Sequence, residues 1–313
     1  MFQLEEGEGV IVTRRKLMAS AQENNPWYSE LDDILRAVSG SFLFGIPLLY
    51  TEEVWLVGNH VNALYMTLAL CITLFLLIIL DYGAGFRKKK EYRWTISIMD
   101  SLVALAVAIV CASLSLMIIG VLPLDLGLEN IVGYITMEAI PFGIGAGISD
   151  YLVEGQRTEG MDEPQQLEKK KREEDRTPRG KLHGTLVDLG ATALGAVIIG
   201  FTIAPTDEVL LIASRLSSLG MLLIILASLI ISYIIVFEAS FVSESKRLEQ
   251  RGIFQHPVVE TINSYLAALA VSLFMLWLFQ TVATDRPWHE WLSYILVLGF
   301  PASIGGAAGR LAV

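Results

Sequence analysis

Two pairs of adjacent acidic residues interrupt apolar sequence at nearly the same place in each half of the chain. Glu52 and Glu53 stand in GIPLLYTEEVW, and Asp207 and Glu208 stand in GFTIAPTDEVL. Carboxylates grouped in this way suit hard cations such as Ca²⁺, or Na⁺ and H⁺. The same residues suit a helix start, because threonine can cap a helix and acids in its first turn complement the helix dipole. Both interpretations stay open, since capping uses about one side-chain oxygen.

One further carboxylate lies inside an apolar stretch. Glu138 stands in YITMEAIPFGIGAG, and an ionisable side chain within a membrane span is costly and therefore a functional candidate. Because Pro141 removes a backbone donor and the glycines after it permit a break, we predict a discontinuous helix near Glu138. The sequence leaves two roles open for Glu138, which are proton or cation handling and a structural hydrogen bond inside the bundle.

The residues and motifs of other chemistries are missing. The four histidines are scattered, Cys71 and Cys111 lie in apolar segments, and no phosphate-binding loop, dinucleotide fingerprint, HExxH or GxSxG pattern occurs. We therefore expect no enzyme, no cofactor and no nucleic-acid partner. Whether the chain binds a metal, and which one, stays open.

The elements that must position these carboxylates are membrane-spanning helices. Of the 313 residues 53% are hydrophobic, the mean hydropathy is +0.54, and several apolar runs approach the roughly 20 residues that cross a bilayer. Helices satisfy their backbone hydrogen bonds internally, as lipid requires. We predict an all-α protein with eight transmembrane helices at about 34–50, 52–82, 95–121, 129–152, 185–204, 207–240, 258–282 and 289–311.

The charges orient this eight-span arrangement. All 23 Lys and Arg residues except Arg215 and Arg286 fall on one side, so the positive-inside rule places both termini in the cytoplasm of a multi-pass inner-membrane protein. The outer connections carry the acids Glu52, Glu53, Asp125, Glu129, Asp207, Glu208, Asp285 and Glu290. Such a face would concentrate cations, or it would simply complement the basic inner loops.

The two halves of the chain show the pattern of an internal repeat. Equivalent positions keep their order in the two halves, as in Gly40 with Gly195, Glu52 with Asp207, Leu102 with Leu266, Pro141 with Pro301 and Gly145 with Gly305. We expect two four-helix repeats with parallel topology, related by a pseudo-twofold axis along the membrane normal. The predicted divisions are a cytoplasmic tail (1–30), the first repeat (31–156), a charged cytoplasmic linker (157–184) and the second repeat (185–313).

Glycine and proline recur within the apolar segments. Proline disturbs a helix and glycine lets neighbouring helices approach closely, so these residues are predicted sites of helix breaks or of helix packing. The residues are Gly45, Pro47, Gly200, Pro205, Pro141 and Pro301.

Together, the segment GIPLLYTEEVW (45–55), the eight-span arrangement and the charged linker resemble an uncharacterised prokaryotic family of proposed eight-span integral membrane proteins. The resemblance implies architecture and no activity. Our leading hypothesis is a cation channel or transporter with an acidic outer vestibule between the repeats and Glu138 deeper in the path. The alternative is a membrane scaffold or sensor whose linker binds a partner. The expected partners are the lipid bilayer, a small inorganic cation and, as a homo-oligomer, further copies of the chain.

Overall fold

The computed structural model describes residues 26–58, 60–85, 94–122, 127–159, 178–238, 256–282 and 287–311, and all regular elements in this part are helices. Residues 1–25 of the predicted tail and 160–177 of the predicted linker lie outside it. The helices are α1 (Pro26–Leu49), α2 (Glu52–Val57), α3 (Ala63–Gly85), α4 (Trp94–Ile118), α5 (Leu128–Glu159), α6 (Pro178–Ile203), α7 (Glu208–Arg215), α8 (Ser218–Tyr233, continued by a π-helical turn Ile234–Glu238), α9 (Pro257–Leu278) and α10 (Trp288–Leu311).

Seven helices of the described residues are long and apolar enough to cross a membrane, namely α3, α4, α5, α6, α8, α9 and α10. They confirm a multi-pass helical membrane protein with seven candidate spans, which correspond to seven of the eight predicted ones. Helix α1 has 24 residues but carries Asp32, Asp33 and Arg36 in its first half, so its role as the eighth span stays a prediction.

The predicted continuous helices at 52–82 and 207–240 are wrong, because each is broken near its start. The first break follows Val57, and helix α3 begins after Asn62, whose side chain accepts a hydrogen bond from the Leu64 backbone at 3.1 Å. The second break lies at Leu216, which has an extended backbone, and Ser217 caps helix α8 by accepting a bond from Gly220. Polar residues that accept hydrogen bonds from helix ends therefore divide the two long helices that the apolar sequence pattern predicted.

Each half is arranged around its last helix. Helix α5 packs against α1, α2, α3 and α4, and helix α10 packs in the same way against α6, α7, α8 and α9. More than half of the apolar span of each central helix is buried inside the protein, with 56% for α5 and 67% for α10. A side chain on α5 or α10 is therefore much better shielded from lipid than one on α3, where the buried share is 11%.

Glycine contacts bring the first and last helices of each half close together. A Cβ atom on Gly40 would overlap the Gly145 carbonyl oxygen, and a Cβ atom on Gly195 would overlap the Gly305 carbonyl oxygen. Small residues at such positions let helix backbones approach one another in a membrane protein. The two glycine pairs stand at corresponding positions of the two halves.

None of the prolines Pro47, Pro141 and Pro301 divides its helix into two segments. Helix α5 continues through Pro141, helix α10 through Pro301 and helix α1 through Pro47, so the predicted discontinuity near Glu138 is wrong. Packing along most of their length holds α5 and α10 helical on both sides of the proline.

The halves meet along α1, α10 and the π-helical turn, with further contacts between α1 and α6 and between α4 and α8. A single apolar cluster extends through both halves and includes Ile46, Leu49, Ile235, Val297 and Phe300. The described part of the interface is therefore packed with apolar side chains.

Replacement of Gly195 by alanine tests the glycine contacts. Gly195→Ala is expected to lower the stability of the detergent-purified protein by about 1–3 kcal/mol, because helices α6 and α10 must separate to admit the methyl group. The midpoint of thermal unfolding, followed by size-exclusion chromatography, measures the change. Gly190→Ala is the matched control on the same helix, since nothing lies within 4 Å of a Cβ there. Equal midpoints for the two variants would contradict the close contact.

Candidate cation-binding site

Glu138 lies in the interior of helix α5. Its side chain is fully buried, and neither carboxylate oxygen has a hydrogen-bond partner among the described residues. It is also the one charged residue among the buried residues of the described part. The position is set by the helix, since Glu138 follows Tyr134 by one turn and precedes Phe142 by one turn on the same face.

Aromatic rings lie on both sides of Glu138 along the helix. The Tyr134 ring meets Trp55 of helix α2 edge to face at 5.9 Å, and the Phe142 ring meets Phe42 of helix α1 at 5.8 Å. A carboxylate in such surroundings is stable only with a proton, a cation or ordered water as its partner, because burial of an unpaired charge costs several kcal/mol or more. The surroundings of Glu138 therefore favour a bound proton or cation.

The proline of helix α10 leaves a carbonyl group that the other half of the chain satisfies. Pro301 has no N–H, so the Val297 carbonyl lacks its helical donor. Instead, the buried Tyr50 hydroxyl donates to the Val297 oxygen at 2.7 Å. Tyr50 follows helix α1, so this hydrogen bond joins the two halves inside the apolar cluster.

The corresponding carbonyl in the first half is that of Met137. Pro141 removes its helical donor in the same way. The residue that corresponds to Tyr50 in the second half is Pro205, which has no side-chain donor. The Met137 carbonyl is next to Glu138 in the chain, so this turn of α5 offers oxygen atoms of two kinds, and hard cations prefer oxygen ligands.

The acidic pair of the first half lies where the two halves meet. Glu52 is 4.0 Å from Arg215 of helix α7, and the Arg215 guanidinium also lies over the Trp55 ring at 5.7 Å. Glu53 is exposed. Arg215, one of two arginines assigned to the outer face, thus neutralises part of the predicted acidic surface.

The pair of the second half is arranged differently. Asp207 is exposed, whereas Glu208 is half-buried and its Oε2 atom has no hydrogen-bond partner in the described part. Glu208 begins helix α7 and Arg215 ends it, seven residues and about 10 Å farther along the axis. Because Glu52 contacts Arg215, it lies toward the far end of α7 from Glu208. A joint vestibule of the four carboxylates stays a prediction.

The prediction that threonine side chains cap helices α2 and α7 is wrong. Thr51 occupies the N-cap position of helix α2 without a side-chain cap bond, and the Thr206 hydroxyl donates to the Ile203 carbonyl at 2.7 Å. The acids in the first turns are confirmed at Glu52, Glu53 and Glu208. The helix dipole, rather than a cap, is what these carboxylates complement.

The remaining predicted positions serve packing or turns. Gly45 faces the Phe142 ring, which a Cβ atom would overlap, and Gly200 leaves ordinary space beside Met275 at 3.6 Å. Pro47 lies within helix α1, and Pro205 lies in the exposed turn between α6 and α7.

Sequence reasoning missed the contacts of Tyr50 and Arg215, and it missed the buried hydroxyls of Ser41, Ser97 and Ser101. The proline at 301 was a usable signal that one carbonyl needs another donor, but no sequence signal identified the donor. Serine in an apolar helix ordinarily bonds to its own backbone, so the three serines gave no signal.

Comparisons with known proteins give one match. A family model described as "Putative integral membrane protein (DUF2391)" matches residues 33–313. No curated protein and no solved structure matches the chain.

Replacement of Tyr50 by phenylalanine tests the bond between the halves. Tyr50→Phe keeps the ring and leaves the Val297 carbonyl without a donor, so we expect a loss of about 1–3 kcal/mol in stability. Thermal unfolding of the purified protein measures it, and Tyr65→Phe is the control because Tyr65 is 65% exposed. Identical unfolding of both variants would show that the Tyr50 hydroxyl does not hold the halves together.

Proposed function

Because the family model covers residues 33–313, the chain belongs to this family of integral membrane proteins, and we propose that it is a cation channel or transporter. The candidate ions are Ca²⁺, Na⁺ and H⁺. We propose transport without enzymatic chemistry and without a resident cofactor.

One observation carries the proposal, which is the isolated carboxyl group of Glu138. Both of its oxygens are buried and unpartnered among the described residues, in the helix that contacts all others of its half. A carboxylate retained there at such cost is typical of ion and proton pathways through membranes. A purely structural role is disfavoured, since the carboxyl group makes no structural hydrogen bond within the described part.

We propose that α1 is the eighth span and that the chain is two tandem repeats. Three features support this: the halves have the same order of helices, the corresponding helices pack alike, and the Gly40–Gly145 contact matches the Gly195–Gly305 contact. A pseudo-twofold axis along the membrane normal follows if the two halves enter the membrane from the same side.

We further propose that the ends of the helices near Glu52 and Arg215 face outward and that the termini are in the cytoplasm of the cell that bears this membrane. The distribution of lysine and arginine supports this orientation. Glu52, Glu53, Asp207 and Glu208 would then form the outer vestibule, which attracts cations. A second function as a partner-binding scaffold depends on the linker, whose residues 160–177 lie outside the described part, so no described contact favours it.

The exchange of Glu138 for glutamine tests transport. Glu138→Gln keeps the shape and removes the negative charge, so we expect cation flux into proteoliposomes to fall by at least about tenfold with unchanged thermal stability. Dyes sensitive to pH, Na⁺ and Ca²⁺ measure the flux. Glu129→Gln, an exposed glutamate at the start of the same helix, is the control and is expected to retain flux. Flux unaffected by Glu138→Gln would remove this residue from the path.

The exchange of Arg215 for glutamine tests the vestibule. Arg215→Gln frees Glu52 from its positive neighbour, so cation entry should become severalfold faster at low ionic strength. The gain should disappear at high salt and in the double variant Arg215→Gln/Glu52→Gln, because screening or removal of the carboxylate abolishes the attraction. A gain that is independent of salt would point to a structural effect and against electrostatic attraction.

A further inference from the structure

Buried hydroxyl groups without partners accompany Glu138 in the first half. Ser41 on helix α1 and Ser97 and Ser101 on helix α4 are at least 98% buried, and none of their Oγ atoms has a hydrogen-bond partner among the described residues. Ser41 lies beside the Cys111 thiol, which is a weak partner at best. Most buried serines elsewhere in the described part bond to their own helix, as Ser115 does to the Cys111 carbonyl at 2.7 Å, and Ser232 bonds to the Ser303 carbonyl of another helix at 3.4 Å.

The three hydroxyls follow one another in depth. Two contacts place Ser41 between Glu138 and Ser101. Its neighbour Gly40 contacts Gly145, about 10 Å beyond Glu138 on helix α5, and Ser41 itself lies beside Cys111, ten residues and about 15 Å from Ser101 along helix α4. Ser101 and Ser97 lie one and two turns of helix α4, about 6 and 12 Å, beyond Leu105. Leu105 packs beside Gly143. Glu138, Ser41, Ser101 and Ser97 thus mark successive depths on the mutually packed helices α1, α4 and α5, and we term them the polar column.

The corresponding positions of the second half do not repeat the column. Leu298 replaces Glu138 and Ala196 replaces Ser41. Thr261, in place of Ser97, donates to the Pro257 carbonyl at 2.9 Å. Tyr265, in place of Ser101, is a buried bulky ring whose hydroxyl lies beside Ser228 and, like that of Ser101, has no hydrogen-bond partner among the described residues. The duplicated scaffold therefore offers a carboxylate and small hydroxyls in one half only.

The charged residues at the end of the bundle away from Glu52 and Arg215 also differ between the two halves. In the second half Arg310 pairs with Glu260, and it also donates to Ser264 at 3.3 Å. The residue that corresponds to Ser264 in the first half is Asp100, which lies near enough to Asp81 and Asp33 for their charges to interact. Each end holds a guanidinium, since Arg36 pairs with Asp33 at 3.0 Å in the first half and Arg310 lies near Glu260 and Asp188 in the second. Asp81 and Asp100 add carboxylates in the first half, so a cation would meet the larger excess of negative charge there.

We infer that the transported ion is monovalent, H⁺ or Na⁺, and that it crosses through the polar column of the first half rather than along the interface between the halves. This inference rests on the proposed function. One buried carboxylate balances one positive charge, and Ca²⁺ in the apolar interior would keep an uncompensated charge and too few oxygen ligands. The interface itself is filled by the apolar cluster and closed by the hydrogen bond from Tyr50 to Val297.

Flux measurements on single variants of the full chain test the route. Ser41→Ala and Ser101→Ala are each expected to lower H⁺ or Na⁺ flux by about tenfold, because each removes an oxygen that replaces water around the ion. Ser272→Ala and Ser228→Ala are the matched controls, since both serines are fully buried in the second half and bond to their own helices. The dyes for pH and Na⁺ distinguish the two monovalent ions, and no Ca²⁺ flux is expected.

The accessibility of the column residues to water can be measured separately from ion flux. In a background with Cys71→Ser and Cys111→Ala, a water-soluble thiol reagent should label Ser41→Cys and Ser101→Cys in proteoliposomes. Ser272→Cys should stay unlabelled, because Ser272 is fully buried in the second half, outside the column, with its hydroxyl bonded to the Ala268 carbonyl. Equal labelling of all three, or of none, would contradict a column restricted to the first half.

The outcomes separate the route from the function. Flux that depends on Glu138 but not on Ser41 or Ser101, or that falls equally in Ser272→Ala, overturns the column and leaves cation transport standing. Ca²⁺ flux through the wild-type protein overturns the monovalent assignment. No flux of any tested ion overturns the proposed function, and the inference fails with it. Loss of H⁺ or Na⁺ flux in the column variants alone, with labelling at both column cysteines, supports the route.

Discussion

Close contact between helix backbones at two glycine pairs is the constraint on which the rest of this structure depends. Gly40 against Gly145 and Gly195 against Gly305 leave no room for a Cβ atom, so the first and last helices of each half approach more closely than ordinary side chains permit. That approach places α5 and α10 inside their halves, where the other helices surround them. Side chains on these two helices are consequently surrounded by protein rather than lipid. A polar or charged side chain there loses its contact with water, which costs free energy unless it finds a partner.

The two prolines Pro141 and Pro301 have different chemical surroundings in the two halves of the chain. Each proline frees one carbonyl on a central helix. The Val297 carbonyl of the second half is satisfied by Tyr50 of the first half, and this bond joins the halves. The Met137 carbonyl of the first half has no such donor from the second half, where Pro205 stands in place of the tyrosine, and it lies next to Glu138. A similar backbone defect therefore contributes to cohesion between the halves at Val297 and leaves a carbonyl oxygen next to Glu138 at Met137.

Local sequence patterns predicted the helices well where one physical effect dominated. Length and hydropathy predicted eight spans, and seven of them correspond to candidate spans of the described residues, because satisfaction of the backbone in lipid leaves little choice. They failed at Gly58 and Ser217, where polar and flexible residues end a helix inside a longer apolar run. They failed also at Pro141, since packing on both sides keeps α5 helical despite the lost hydrogen bond. The carboxylates were found as candidates, but their neighbours were not, because those neighbours lie far away in the chain.

The sequence by itself determined that the chain is a multi-pass helical membrane protein and that Glu138 is an acid among apolar residues, and it predicted which positions correspond in the two halves. These properties follow from composition, periodicity and alignment, which are local or additive. Only the tertiary structure decided that Glu138 has no partner in the described part, that Glu52 meets Arg215 and that Tyr50 meets Val297. The physical reason is that hydrogen bonds and ion pairs depend on distances of a few ångströms between helices, and side-chain packing sets those distances.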